Sequence, residues 1–457
     1  MIVFKNILMK RLSYLLLFFC FLFLNKEMKS QEIYSYSFGE GVNFVSENNY
    51  EFVLSGFVQP FVEYRIINND SLDQIYKDSR YRMRRIRLRM SGSSPQKKVD
   101  YRIQFDFSGI SEDGSASSSL LYDAFLTYNF NKRTKLSFGQ RSQRSDNREL
   151  TMNSNSLQLV ERSRLTSVFA SIRDFGLFLQ RDIRLSNGSY FRNYLEITSG
   201  DGMNNFTKDI GGLKYGGRID YLPFGFFTNK GQFRQVDIVR ENSLKLVLGV
   251  NYSFNQSMSS RRGRVGNDFL YYNINLADTN YRLPDFLKYG ADLLLKYRGF
   301  SLLAEYIKTN VYLDNDITHR NDRYGDKPKD ITDNFRNLDP KDYLRSQLML
   351  GSGFNLQAGY IFKNLISADL RFTHLESDEF SFLNNGTFYN RPNYYTFGLS
   401  KYFARNYGFK IQASITYVEV SEGSIYSQQT GIPSEPYRNI ELMGNEIIIR
   451  LITSVNF

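Results

Sequence analysis

Val99-Asp100-Tyr101-Arg102-Ile103-Gln104-Phe105-Asp106-Phe107-Ser108 alternates without a slip: every odd-numbered residue is apolar and every even-numbered one is polar. A period of two belongs to a strand whose two faces meet different media. The last residues of the sequence repeat it, with Ile447, Ile449, Leu451, Val455 and Phe457 on one parity and Arg450, Ser454 and Asn456 on the other. Leu244–Phe254 and Phe409–Tyr417 follow the same rule. Glu51–Arg65 is less regular. There Phe52, Leu54, Val58, Val62 and Tyr64 oppose Ser55, Gln59, Glu63 and Arg65, but Val53, Phe57 and Phe61 are apolar on the polar parity.

Weaker alternating runs fill the intervals, and together they predict about sixteen strands, an even number as a single-chain bacterial barrel requires. The connectors alternate in length. Short ones, such as Asn131–Thr134, Arg298–Phe300 and Lys363–Asn364, are rich in turn formers, while Ser142–Asp174, Asn255–Leu287 and Val311–Ser352 are long. The fold class expected is therefore all-β, a transmembrane antiparallel β-barrel with short periplasmic turns and long extracellular loops. Pro223–Ser243 is the exception, a long connector where the alternation calls for a short turn. A soluble β-sandwich also alternates but does not explain the asymmetry of the connectors.

The N-terminus points to export. Lys5, Lys10 and Arg11 precede an apolar run from Tyr14 to Leu24, which is too short to span a bilayer as a helix and has the flanks of a secretory signal. Residues 1–30 are read as a signal peptide cut near Ser30 and Gln31, residues 31–50 as an N-terminal periplasmic segment, and 51–457 as the barrel. Removing the first thirty residues takes the formal charge from +11 to +7 and removes Cys20, the only cysteine. The sequence has no Trp, so any aromatic girdle must be made by its 33 Tyr and 39 Phe.

The segment Arg80-Tyr81-Arg82-Met83-Arg84-Arg85-Ile86-Arg87-Leu88-Arg89-Met90 is the most unusual in the chain. With Ile86, Leu88 and Met90 against lipid, Arg85, Arg87 and Arg89 form a row on the inner wall. The opposite phase would cost about 2–4 kcal/mol for each arginine near the midplane. Arg80, Arg82 and Arg84 then have the wrong parity, which requires a position at the outer rim or a β-bulge. A row of guanidiniums in a wet pore offers an anion successive partners in place of its hydration shell. Arg102, Arg141, Arg371 and Arg450 share the lumen parity. So do Asp100, Asp106, Asp123, Asp292, Glu305 and Asp369, which would neutralise part of the row.

In these residues the chain resembles the phosphate-selective porins O and P of Gram-negative outer membranes. The resemblance rests on Arg84-Arg85-Ile86-Arg87-Leu88 with Ser91-Gly92, and on Gly139-Gln140 leading into a loop with Glu149-Leu150-Thr151 and Glu161-Arg162-Ser163. Glu305-Tyr306 and the run Gly353 to Tyr360 extend it. It implies a trimeric sixteen-stranded porin whose arginine ladder and lysine cluster pass anions such as phosphate through a pore narrowed by inward-folded loops. Arg84 and Arg85 take the family's paired-arginine position. The lysine that follows Gly-Gln in the family is missing, with Arg141 and Arg144 nearby instead, so the resemblance reaches anion passage more directly than phosphate selection.

The long loop Ser142–Asp174 carries Arg144, Arg148, Arg162 and Arg164 together with Leu150, Leu157, Leu159, Val160 and Leu165, which are awkward in open water. Folding into the lumen would pack the apolar residues against the wall and turn the arginines toward the open pore. The expected partners are small anions, membrane lipid and two further copies of the chain, with no nucleic acid, metal or cofactor. An enzyme is disfavoured, since His319 and His374 are the only histidines and no nucleophile motif is present. A surface-interaction barrel of low conductance is the remaining alternative. The Asp-rich loop Val311–Asp342 lacks cation-loop spacing, and Asp339-Pro340 predicts a short helix reaching Met349.

Overall fold

The computed structural model describes residues 33–69, 74–109, 120–204, 211–258, 270–277, 280–322, 329–332, 339–384, 391–420 and 444–457. The signal-peptide reading, and Asp326 and Asp333 of the acidic loop, lie outside these residues. A short hairpin, β1 (Ile33–Ser37) and β2 (Gly41–Val45), precedes the wall. The first half of the wall is β3 (Glu51–Asn69), β4 (Gln74–Ser93), β5 (Val99–Asp106), β6 (Leu121–Asn129), β7 (Thr134–Ser142), β8 (Arg173–Arg184), β9 (Tyr190–Thr198) and β10 (Lys214–Leu222). After β11 (Lys245–Asn255) comes β12 (Leu270–Asn273), which leaves the wall to pair with β15 (His319–Asp322), itself paired with β16 (Lys329–Asp330), beyond the long-loop end. The wall continues through β13 (Asp285–Tyr297), β14 (Phe300–Tyr312), β17 (Gly351–Ile361), β18 (Ile366–Ser377), β19 (Asn393–Tyr402), β20 (Phe409–Glu419) and β21 (Asn445–Asn456).

Sixteen strands thus pair antiparallel in sequence order, and β21 closes the ring on β3 from Asn445↔Asn68 to Asn456↔Phe57. β2 pairs with β3 below that seam, from Val42↔Leu54 to Val45↔Glu51. Closure leaves no unpaired edge across the membrane, which is what allows strands to span lipid.

The alternation read from the sequence is the partition of the wall. Leu126, Phe138, Leu195, Val250, Leu370 and Leu451 face outward, while Gln104, Asp123, Ser137, Asn355 and Gln357 are buried inside. Tyr and Phe form the girdles that Trp usually supplies. Near the long-loop end Phe354, Phe372, Tyr395 and Tyr417 make a continuous row over four strands, with centroids 5.5, 4.9 and 6.3 Å apart. Near the short turns Tyr360 meets Phe362 at 5.0 Å and Phe403 stacks on Phe409 at 4.5 Å. The helix at Pro340 ends at Arg345, shorter than predicted, and its Tyr343 and Leu344 pack with Tyr272, Ile317 and Ile331 in an extracellular core.

Candidate functional site

The pore begins with a break in register. Gln59 pairs with Arg85 but Pro60 pairs with Met83, so Arg84 is the extra residue of a β-bulge. Pro60 has no N–H to give the ladder, and a proline inside a wall strand is accommodated at such a bulge. The bulge reverses the parity of everything before it. Tyr81 and Met83 turn outward, 77% and 37% exposed, while Arg84 and Arg85 are both buried inside. Of the two placements open to Arg80, Arg82 and Arg84, the structure takes the bulge, and β4 carries six arginines on its inner face.

Residues 143–172 fold into the lumen and cross to the opposite wall. Lys288 donates to Asp146 at 2.5 Å, Gln158 to Asp369 at 2.6 Å, and Lys410 to the Leu157 carbonyl at 2.8 Å. Leu165, Val168 and Phe169 join Ile307, Met349 and Leu375 in a buried cluster. Glycines on the facing strands provide the room. A Cβ at Gly398 would collide with Leu159, and one at Gly249 would meet Arg148 and Asp292.

One expectation fails here. Arg148 does not face the open pore; it is 1% exposed and clamped against the far wall, 2.6 Å from Asp220 and 2.7 Å from Asp292. Arg371 is similarly engaged, 3.0 Å from Glu149 and donating to Gln357. Two carboxylates hold Arg148, and one carboxylate with an amide oxygen holds Arg371, where a dehydrated cation alone would be costly.

The anomalous connector also enters the barrel, from the short-turn end. Val236 and Ile238 pack with Ile361, Tyr402 and Tyr407, and Lys296 donates to the carbonyls of Gly231 and Val236 at 2.9 and 3.0 Å. Its Gln235 meets the other loop, accepting from the Gln158 N–H at 2.7 Å and donating to Glu149 at 2.8 Å. The two insertions fill the half of the lumen bounded by β11–β20 and leave the arginine wall as the lining of what remains.

Along that wall lie two vestibules, separated by a neck at Arg85 and Arg87. The one at the long-loop end, about 330 Å³, is lined by nine arginines and three glutamates; Arg84, Arg162, Arg164, Arg371 and Arg450 are among the arginines. Arg65, Arg80, Arg82 and Arg391 complete them and were not among the sequence candidates. The proline at position 60 was the available signal for Arg80 and Arg82. Arg450 donates to Glu63 at 2.7 Å across the seam. At the neck Arg84 and Arg85 bind Glu161, and Arg87 contacts Asp106 at 2.7 Å and Ser154 at 2.9 Å, its guanidinium 3.8 Å from the Tyr122 ring centre. Phe57 and Phe61, apolar on the wet parity, are buried under Arg87 and beside Val160 and Ile452 respectively, which explains their exception to the pattern.

The second vestibule, about 1050 Å³, opens at the short turns and contains seven lysines and arginines against Glu51, Asp100 and Glu196. Arg102 and Arg141 lie against the Phe125 ring at 5.5 and 4.6 Å, and Arg144 against Phe233 at 5.1 Å. Arg89, just above, donates to the neutral Gln104 at 2.8 Å. None of the side chains of Arg89, Arg102, Arg141 and Arg144 makes an ion pair among the described residues. Their aromatic neighbours position them without cancelling charge. His374, by contrast, sits on the outer face, its Nδ1 2.8 Å from Asn393.

A family model described as phosphate-selective porin O and P matches residues 64–324. No curated protein sequence matches. Among solved structures, the chain is similar to an anion-selective porin from Comamonas acidovorans, at 11% identity with TM-score 0.47, covering 90% of this chain and all of that one. It is also similar to Salmonella typhi OmpF in complex with daunomycin, at 11% identity with TM-score 0.48, covering 93% and 99%. The trimer form of OmpT from Vibrio cholerae aligns at 10% identity with TM-score 0.45, covering 89% and 99%.

Proposed function

The chain belongs to the phosphate-selective porin O and P family, and from that membership we propose that this outer-membrane diffusion porin prefers small anions, phosphate among them. The observation that carries the preference is the imbalance of the vestibules, nine arginines against three glutamates at one mouth and seven cations against three carboxylates at the other. Fixed charge of one sign on a narrow wet passage concentrates counter-ions and repels the rest. Export by a signal peptide comprising residues 1–30, a short periplasmic segment over 31–50 and assembly as a homotrimer belong to the same reading.

The test is a planar bilayer under a potassium chloride gradient, where the reversal potential should favour chloride. Arg141→Gln together with Arg144→Gln should weaken that preference, because these two charges have no carboxylate partner to leave behind. Arg85→Ala and Arg87→Ala should weaken it as well, while also leaving Asp106 without its arginine and Glu161 with Arg84 alone. Cation selectivity in the unmodified channel would overturn the proposal.

A barrel of low conductance is favoured by one specific observation, the burial of Arg85 and Arg87 at the neck, 0% and 5% exposed. Single-channel currents separate the two readings, since the diffusion channel passes chloride steadily and a closed barrel does not.

A further inference from the structure

The rim at the short turns carries a charge bias that the pore does not use. Seven turns join barrel strands at this end, and their only carboxylates, Asp237 and Glu241, are both buried; the β1–β2 hairpin, packed on the turn after β19, adds the exposed Glu40. Three turns that follow one another along the wall, after β13, β17 and β19, expose Arg298, Lys363 and Arg405. Among the described residues none of the three makes an ion pair. They lie on the half of the rim whose interior is filled by Val236, Ile238, Ile361, Tyr402 and Tyr407, so an ion leaving the open half does not pass them.

Apolar side chains flank these cations on the outer surface. Tyr297, Phe300, Phe362 and Phe403 are each at least 38% exposed, and the Arg298 guanidinium rests 5.1 Å from the Tyr297 ring centre. Rings at the edge of the hydrocarbon with cations one or two residues beyond them match the two layers of a lipid monolayer, acyl chains and then phosphates. A soluble phosphate would instead need donors converging on one point, and these cations are spread along an arc of consecutive strands.

We infer that this arc binds the phosphate headgroups of anionic phospholipids in the leaflet that meets the short turns. Each exposed cation near such a surface adds to the attraction, which fades within a Debye length and is screened by salt. The inference rests on the barrel's orientation in the membrane and not on its ion preference.

The experiment reconstitutes the purified barrel in phosphatidylcholine bilayers with a trace of spin-labelled phosphatidylglycerol or spin-labelled phosphatidylcholine, and measures the motionally restricted fraction of each. At low salt the anionic label should be held about threefold more strongly, approaching parity in concentrated salt. The variant Arg298→Gln, Lys363→Gln, Arg405→Gln should lose the preference at low salt while keeping the wild-type reversal potential. Should that variant fail to fold, Lys363→Gln alone should reduce the preference, and Arg298→Lys with Arg405→Lys should retain it. An undiminished preference in the folded triple variant, or none in the wild type, would overturn the inference. So would displacement of the label by inorganic phosphate beyond that caused by chloride of equal ionic strength, which would mark a site for the free ion.

Discussion

Pro60 stands opposite Met83 while its neighbour Gln59 stands opposite Arg85, and the residue left between them, Arg84, is what turns two sets of arginines onto one wall. Deleting Arg84 restores a continuous register and drives Arg80 and Arg82 toward lipid. The loss of stability should be about 2–4 kcal/mol for each arginine that reaches the midplane and less near the interface. Arg84→Ala keeps the register and should cost less. Urea titration of the refolded barrels measures both, and equal midpoints would show that the bulge does not set the phase.

Removing Asn147–Ser163 should raise single-channel conductance, but by less than the length of the loop suggests, because the 223–243 segment still occupies the same half of the lumen. Shortening both insertions should raise it severalfold. Gly398→Val offers a gentler route, since its side chain takes the space of Leu159 and should loosen the loop without removing it. Unchanged conductance in a folded double deletion would place the constriction elsewhere.

Glu161 lies between two guanidiniums. Burial alone would raise its carboxyl, but Arg84 and Arg85 outweigh that and hold it at about 2. With the folded value below the ordinary 4.5, its contribution to loop docking is fully present above the usual carboxylate range and is lost only as pH falls through about 2. Between about pH 7 and pH 4 the Glu161 pairing should therefore leave the reversal potential flat. Glu161→Gln uncovers both arginines and should strengthen chloride preference at neutral pH. An unchanged reversal potential in that variant would mean the ions do not sense this pair.

The proposed trimer predicts two forms on a denaturing gel. Unheated detergent extracts should run as a compact oligomer, and heating should yield a single unfolded monomer. A species that is monomeric before heating, with the barrel still intact by circular dichroism, would count against three copies.

The wall was legible in the sequence because lipid and water impose opposite demands on alternate residues, and Val99–Ser108 obeys both without exception. The interior was legible only where a residue's partner lay on the wall. Phe57 and Phe61 looked like errors of phase because the surfaces that bury them include residues far away in the chain, Arg87 and Val160. Arg148 was assigned to the open pore by analogy with its neighbours, yet its position depends on Asp220 and Asp292, 72 and 144 positions away. The 223–243 connector stood out in the sequence only by its length. Its purpose required knowing that Tyr402 and Tyr407 would stand beneath it. Gly249 and Gly398, small residues at lumen positions, were the local trace of the loop's path, and they acquire meaning only once the loop is seen to press on them.

The bond between Arg450 and Glu63 joins residues 387 positions apart, whereas every other pairing in the ring links strands that follow one another along the wall. Hairpins of the second kind can form quickly from local segments, while the first and last wall strands must find each other after most of the chain has been placed. Until they do, two open edges remain as templates for wrong partners, and only a few residues of one are covered by β2. Assembly therefore has a committed final step: weakening the seam at Arg450 or Glu63 should prolong the life of an unclosed, aggregation-prone sheet far more than it loosens the finished ring.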